Sequence, residues 1–200
     1  MKDKPTLFLY SASPRRAALL ESTGMHFEVY SIDTDESIEP GISPENSVFT
    51  LAERKLKAGL DADNSHSGYW GLAADTMVEG PRGLLGKPGD IREAESMLES
   101  LSGLVHKVHT GIAVYSPLLP EGENISTLVH STLVEFRNLS SRDITDYLKS
   151  GEWEGVAGAY RIQQQGAFLI KSINGLWSTV VGLPLSPLYG ILTAMSYPFG

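Results

Sequence analysis

Thr6-Leu7-Phe8-Leu9-Tyr10 runs directly into Ser11-Ala12-Ser13-Pro14-Arg15-Arg16. A short apolar, β-prone run, two hydroxyls, a proline and two guanidiniums predict a strand, a turn and a helix start. Ser13 suits the N-cap, and Pro14 suits the first helical position, where its missing N–H costs nothing. Backbone N–H groups at a helix head attract anions, and two arginines beside them add planar donor forks. Two readings stand at this point: a phosphate-binding turn, or an ordinary capped helix with two solvated arginines.

Further along, a helix over 15–23 stops near Gly24, and Phe27-Glu28-Val29-Tyr30 reads as a second strand. A polar loop over 33–43 leads into a helix over 43–60, with Val48, Leu51, Ala52 and Leu56 as its apolar stripe. Lys55 falls inside that stripe. Either it snorkels out along its neighbours, or its ammonium meets an anion. Gly71-Leu72-Ala73-Ala74 and Met77-Val78 read as strand on either side of a bend at Asp75-Thr76, followed by a turn at 80–83. Asp90 and Glu93 form a capping box for a helix with Ile91, Ala94, Met97, Leu98 and Leu101 on one face. Two long strands follow over 107–115 and 125–136, then a helix over 142–150 closed by Gly151. A glycine-rich loop, strands over 168–173 and 179–181, and a helix after Pro184 complete the chain. Interleaved strands and helices, with no internal repeat, predict an α/β fold with one mixed sheet and flanking helices in a single domain spanning 1–200.

Composition narrows the function. A hydrophobic share of 42% with 20% charged residues describes a folded chain. A net charge of −8 disfavours a nucleic acid polymer as partner, since that affinity needs many Lys/Arg–phosphate contacts, but leaves room for one small anion. With no cysteine, thiolate metal sites and cysteine nucleophiles are excluded. Met1-Lys2-Asp3-Lys4-Pro5 precedes too few apolar residues for a signal-peptide core, and no run approaches the roughly 20 needed to span a membrane. A cytoplasmic protein without a membrane partner is expected.

Several side chains suit phosphate chemistry. Asp75 interrupts an apolar run, and Asp35-Glu36 form an acidic pair in a polar loop. Hydrolysing a phosphoanhydride calls for a hard divalent cation and a carboxylate that orients water. Lys87 lies on a short loop whose Pro88 restricts it to extended backbone, and with Lys55 and Arg15 it makes a cationic set suited to a triphosphate. The amide of Gln163 offers a donor and an acceptor that match N3–H and O4 of uracil or thymine. His26, His66, His106, His109 and His130 show no ligand spacing matched to acidic partners and read as structural or exposed. Trp70, Trp153 and Trp177 read as packing residues.

The ordered set of motifs resembles the Maf family of septum-formation-inhibitor-like nucleotide pyrophosphatases over nearly the whole chain. It comprises S-A-S-P-R-R at 11–16, D-E-S at 35–37, A-D-T at 74–76, G-K-P at 86–88, H-T-G at 109–111, G-A-Y-R-I-Q at 158–163 and V-V-G-L-P-L at 180–185. The resemblance implies an elongated mixed sheet of the Maf/inosine-triphosphatase type with a cleft between two lobes, and a homodimer. It gives Asp75 the catalytic base role, Lys55 and Lys87 catalytic roles, and Glu36 with Asp75 the Mg²⁺ or Mn²⁺. Ser11, Ser13, Arg15, Arg16, Thr76 and Gln163 would bind a nucleoside triphosphate, and Arg15, Thr76 and Gln163 together look like the dTTP/UTP subgroup. The implied reaction gives a monophosphate and pyrophosphate. The alternatives are a non-catalytic nucleotide-binding regulator of cell division, which needs no water-orienting carboxylate, and a methylated-GTP enzyme, disfavoured by Gln163. The family often has lysine where Val156 stands, glycine where Gln164 stands, and glycine just before A-D-T.

Overall fold

The apolar run becomes β1 (Leu7–Tyr10), all four residues buried, and the chain turns at Ser11 into α1 (Pro14–Glu21). In this computed structural model residues 6–62 and 68–199 are described, so Met1-Lys2-Asp3-Lys4-Pro5 and His66 lie outside the described residues. β1 pairs in parallel with β2 (Phe27–Tyr30) on one side and with β3 (Trp70–Gly80) on the other. Parallel neighbours need crossover connections, which α1 and α2 (Pro44–Ala62) supply. Burial on both faces explains why β1 reads as a continuous apolar run instead of alternating. Among the described residues seven strands form one mixed sheet in the order β2-β1-β3-β5-β6-β7, with β4 (Gly83–Leu85) antiparallel to β3. β5 is Val105–Tyr115, β6 is Ile125–Phe136, and β7 (Ile170–Asn174) runs antiparallel to β6. No helix among the described residues is long and apolar enough to cross a membrane.

Two compact units divide the chain, and β3, β5 and β6 each contribute residues to both. The first comprises Met1–Asp75, Thr110–His130 and Gly182–Gly200. Its α2 lies against the sheet through Ala52 and Leu56, which pack on Phe8, Tyr10, Ala73 and Ala113. Two glycines set how closely that helix approaches. A Cβ on Gly59 would run into the Tyr10 ring, and one on Gly111 would run into the Val48 carbonyl. The last helix of this unit, α6 (Leu185–Ala194), follows Pro184 as expected.

The second unit comprises Thr76–His109 and Ser131–Val181. Its core joins α3 (Ile91–Leu101) and α4 (Ser141–Leu148) to Val108, Val134, Phe136 and Tyr160. Asp90 caps α3 through the N–H groups of Arg92 and Glu93, while the Glu93 carboxylate reaches back to Gly89 N–H. Ser140 and Asp143 cap α4 reciprocally.

Three local expectations differ from the structure. β3 runs unbroken through Asp75-Thr76, with no bend there, because the aspartate finds a cation in place instead of needing water. Ile91 is 51% exposed and belongs to the first turn of α3 rather than to its buried face. Thr179-Val180-Val181 form the end of a helix, α5 (Trp177–Val181), not a strand. β-branched residues favour strands only weakly, and here Ser178, Thr179 and Val181 are buried in helical geometry.

Candidate active site

In the first unit, β1 ends at Tyr10 opposite Ala73, so the chain leaves the sheet beside the segment that carries Asp75. This is the carboxyl end of a parallel strand, where open α/β sheets place their ligands. Ser13 takes the N-cap position of α1, but its side chain makes no capping bond. The Ser11 hydroxyl instead organises the turn. It accepts the Ser13 backbone N–H at 3.2 Å and an Arg16 guanidinium N–H at 3.1 Å. Arg16 Nε donates to the Gly182 carbonyl at 2.8 Å, so the motif at 180–185 anchors the motif at 11–16. Burial pulls the Arg16 guanidinium below its ordinary value, opposed by the Asp75 carboxylate and reinforced by the Arg15 cation.

Lys55 projects from the buried side of α2, and the anions it meets are protein carboxylates. Its ammonium donates to Asp75 Oδ1 and to Glu36 Oε1, each at 2.6 Å. The Lys55 and Asp75 side chains are 14% and 12% exposed, against 55% for Glu36. An inward ammonium and an inward carboxylate thus satisfy each other, while the loop acid closes the set from the solvent side. Asp35 takes a separate part in that loop: it accepts the Ser37 N–H and hydroxyl, and Arg54 ties the Asp35 and Ser37 carbonyls to α2.

The second unit holds Thr76, Lys87 and Gln163. Lys87 is exposed on its loop, Pro88 is buried, and the Gly86 carbonyl accepts the Gly158 N–H at 3.0 Å. The G-K-P and G-A-Y-R-I-Q motifs are therefore joined main chain to main chain. Gly158 has φ +71 and packs on Val78, a position no larger residue would fill without strain. Gln163 is partly buried and precedes a 3-10 turn, Gln164–Leu169. Gln164 adopts φ +53, the left-handed region that favours the glycine common in the family. Val156 is buried at 4% exposure.

Sequence spacing did not reveal an acidic partner for His109. Its Nε2 lies 3.3 Å from Glu79 Oε2, and its Nδ1 lies 2.7 Å from Ser131 Oγ. Burial raises the Glu79 carboxyl, and the bonds to His109 and Lys107 outweigh that, holding it below the usual range. His106 is buried against Tyr160 and Phe136, and desolvation brings it down to about 4. His26 is exposed. Trp70 is fully packed and Trp153 donates to the Leu148 carbonyl, but Trp177 is 46% exposed, which departs from a packing role.

The family model described as Maf-like protein matches residues 6–195. A dTTP/UTP pyrophosphatase of Myxococcus xanthus (strain DK1622) is 42% identical over 98% of this chain and 95% of its own length. One from Geotalea uraniireducens (strain Rf4) is 40% identical over 98% of this chain and 97% of its own. A dTTP/UTP pyrophosphatase of Clostridioides difficile (strain 630) is 40% identical over 93% of each. Among solved structures, a HAM1 protein from Coxiella burnetii is similar at a TM-score of 0.47 and 17% identity, covering 95% of this chain and 99% of that chain. The ordered motifs and the full-length match agree: this chain belongs to the Maf-like protein family.

Proposed function

We propose that this protein is a nucleoside triphosphate pyrophosphatase of the cytoplasm, acting on dTTP and UTP, as its relatives' names say of them. The observation that carries the reading is the inward carboxylate of Asp75, held at 2.6 Å by Lys55 beside the carboxyl end of β1. A buried acid with a fixed cation is suited to orienting a water molecule and accepting its proton. Water attacks the α-phosphorus, the bond to the bridging oxygen towards the β-phosphate breaks, and nucleoside monophosphate and pyrophosphate leave. Ser11, Ser13, Arg15 and Arg16 at the head of α1 receive phosphate oxygens, a reading supported by first-turn N–H groups that Ser13 does not cap. Lys55 and Lys87 supply positive charge to the triphosphate, and Thr76 and Gln163 contact the nucleoside.

Asp75 and Glu36 fit a divalent cation, because their oxygens already converge on one positive centre, the Lys55 ammonium. Among the described residues no group of three or more His, Asp and Glu side chains could hold a metal alone, so phosphate oxygens and water would complete the shell. When bound, Mg²⁺ or Mn²⁺ supplies neutralisation of phosphate charge. A homodimer is the assembly proposed. The test is pyrophosphate release over a panel of nucleoside triphosphates, with and without added Mg²⁺ or Mn²⁺. Turnover of dTTP and UTP should exceed that of CTP, ATP and GTP by about tenfold in kcat/KM, and a chelator should abolish it. A purine preference, or full activity in chelator, would refute the corresponding part of the reading.

A further inference from the structure

Glu152 is a carboxylate inside the second unit, only 8% exposed, and no role for it follows from the phosphate chemistry. Its Oε1 accepts the Gln165 N–H and its Oε2 accepts the Gly166 N–H, each at 3.1 Å. These are two successive main-chain donors at the start of the 3-10 turn that Gln163 precedes. Gln163 occupies the N-cap position of that turn, yet its side chain makes no capping bond. The cap comes from Glu152, eleven residues upstream, and the amide of Gln163 is spared that duty. Orphan N–H groups at a helix start need acceptors, and a carboxylate supplies the stronger, charge-assisted kind.

The other side of Gln163 is held as well. The Arg161 N–H donates to the Tyr147 hydroxyl at 3.1 Å, and Gly166 packs so closely on the Arg161 carbonyl that a Cβ there would overlap it. Tyr147 stays protonated, since burial pushes its hydroxyl up to about 12. Between these two fixings lies Gln164 with φ +53, a conformation that persists only where surrounding bonds over-determine it. The main chain from which Gln163 projects is therefore bonded on both flanks.

We infer that Glu152 is a positioning residue for base recognition: by clamping the Gln165 and Gly166 N–H groups it fixes the backbone that aims the Gln163 amide at the pyrimidine edge. A side-chain amide can rotate to suit cytosine as well as uracil, so discrimination between them depends on a pocket that holds the amide in one place. This rests on the reading of Gln163 as the base-reading residue, and the experiment separates the two.

The experiment measures kcat and KM for dTTP and CTP in wild type, Glu152→Gln, Gln163→Ala and the double variant. A glutamine at 152 can accept only one of the two N–H groups and turns a donor towards the other. Glu152→Gln should lower the dTTP:CTP ratio of kcat/KM by about fivefold, mostly through KM for dTTP, and the double variant should fall no lower than Gln163→Ala alone. A wild-type ratio in folded Glu152→Gln, or additive losses in the double variant, would overturn the inference. An unchanged ratio in Gln163→Ala would instead refute the base-reading role of Gln163. If Glu152→Gln does not fold, Glu152→Asp decides: a carboxylate drawn back by one methylene loosens its hold on the Gln165 and Gly166 N–H groups and should erode the same ratio, and a wild-type ratio there would overturn the inference.

Discussion

A single buried ion pair carries two properties at once in this protein. Asp75 and Lys55 are each largely withdrawn from water and 2.6 Å apart. Removing the Asp75 charge leaves the Lys55 ammonium to Glu36 alone, and removing Lys55 takes from the inward Asp75 carboxylate the cation it is bonded to, a loss that typically exceeds what the pair contributes net. Asp75→Asn should lower kcat at least about a hundredfold, the low end for loss of a general base. Lys55→Met should lower both kcat and the unfolding free energy, and Lys55→Met combined with Asp75→Asn should recover stability without recovering activity. Turnover assays and urea titrations of the three variants read this out; an undiminished kcat in folded Asp75→Asn would remove the base role. At this scale the sequence was partly legible. Lys55 stood out because a cation broke an apolar stripe, and that anomaly needs only helical periodicity. Its partner stands 20 residues away on a strand, and no local rule connects the two.

At the scale of elements, the position of Lys55 is set by how closely α2 meets the sheet. Val48, Leu51 and Leu56 are almost fully buried, each contributing about 1.5–3 kcal/mol, so the helix remains docked when the lysine charge is removed. The spacing itself depends on Gly111 of the H-T-G motif, whose missing Cβ lets the Val48 carbonyl approach. Gly111→Ala should destabilise the fold by about 1–3 kcal/mol through overpacking and shift α2 outwards. Activity should then fall in the fraction that remains folded, because Lys55 moves with the helix. Denaturant unfolding together with kcat of the folded enzyme tests this, and wild-type values of both would show that the contact relaxes without consequence. The sequence displayed Gly111 as part of a motif but gave no reason for it, since the atom it avoids belongs to α2. Likewise Thr179-Val180-Val181 read as strand from β-branching alone, whereas packing around Ser178, Thr179 and Val181 selects a helical turn.

Over the whole molecule, pH acts on stability through His106. The folded protein holds it at about 4 against an ordinary value of 6.5, because desolvation penalises the imidazolium. The unfolded chain therefore binds a proton that the folded chain refuses between those values. Stability from the neutral histidine is fully present above pH 6.5, declines as pH falls, and is lost once pH passes 4. The displacement corresponds to about 3 kcal/mol. His106→Phe should flatten this part of the profile, at the cost of the bond to Tyr160. Urea unfolding at several pH values between 7.5 and 4, as a check on roughly this window, should show wild type losing stability faster than the variant; parallel curves would exclude the histidine as cause. What the sequence determined by itself was whatever depends on neighbours within a few residues: the β1, turn and α1 succession, the cap at Asp90, the stripe of α2, and the motifs that mark the family. What only the tertiary structure decided were meetings between segments far apart in the chain: Lys55 with Asp75 and Glu36, Arg16 with Gly182, Glu152 with Gln165 and Gly166, and His109 with Glu79. The reason is physical. Periodicity and capping are fixed by backbone geometry over one or two turns, whereas a buried charge chooses its partner from whichever groups the packed core brings within hydrogen-bond reach.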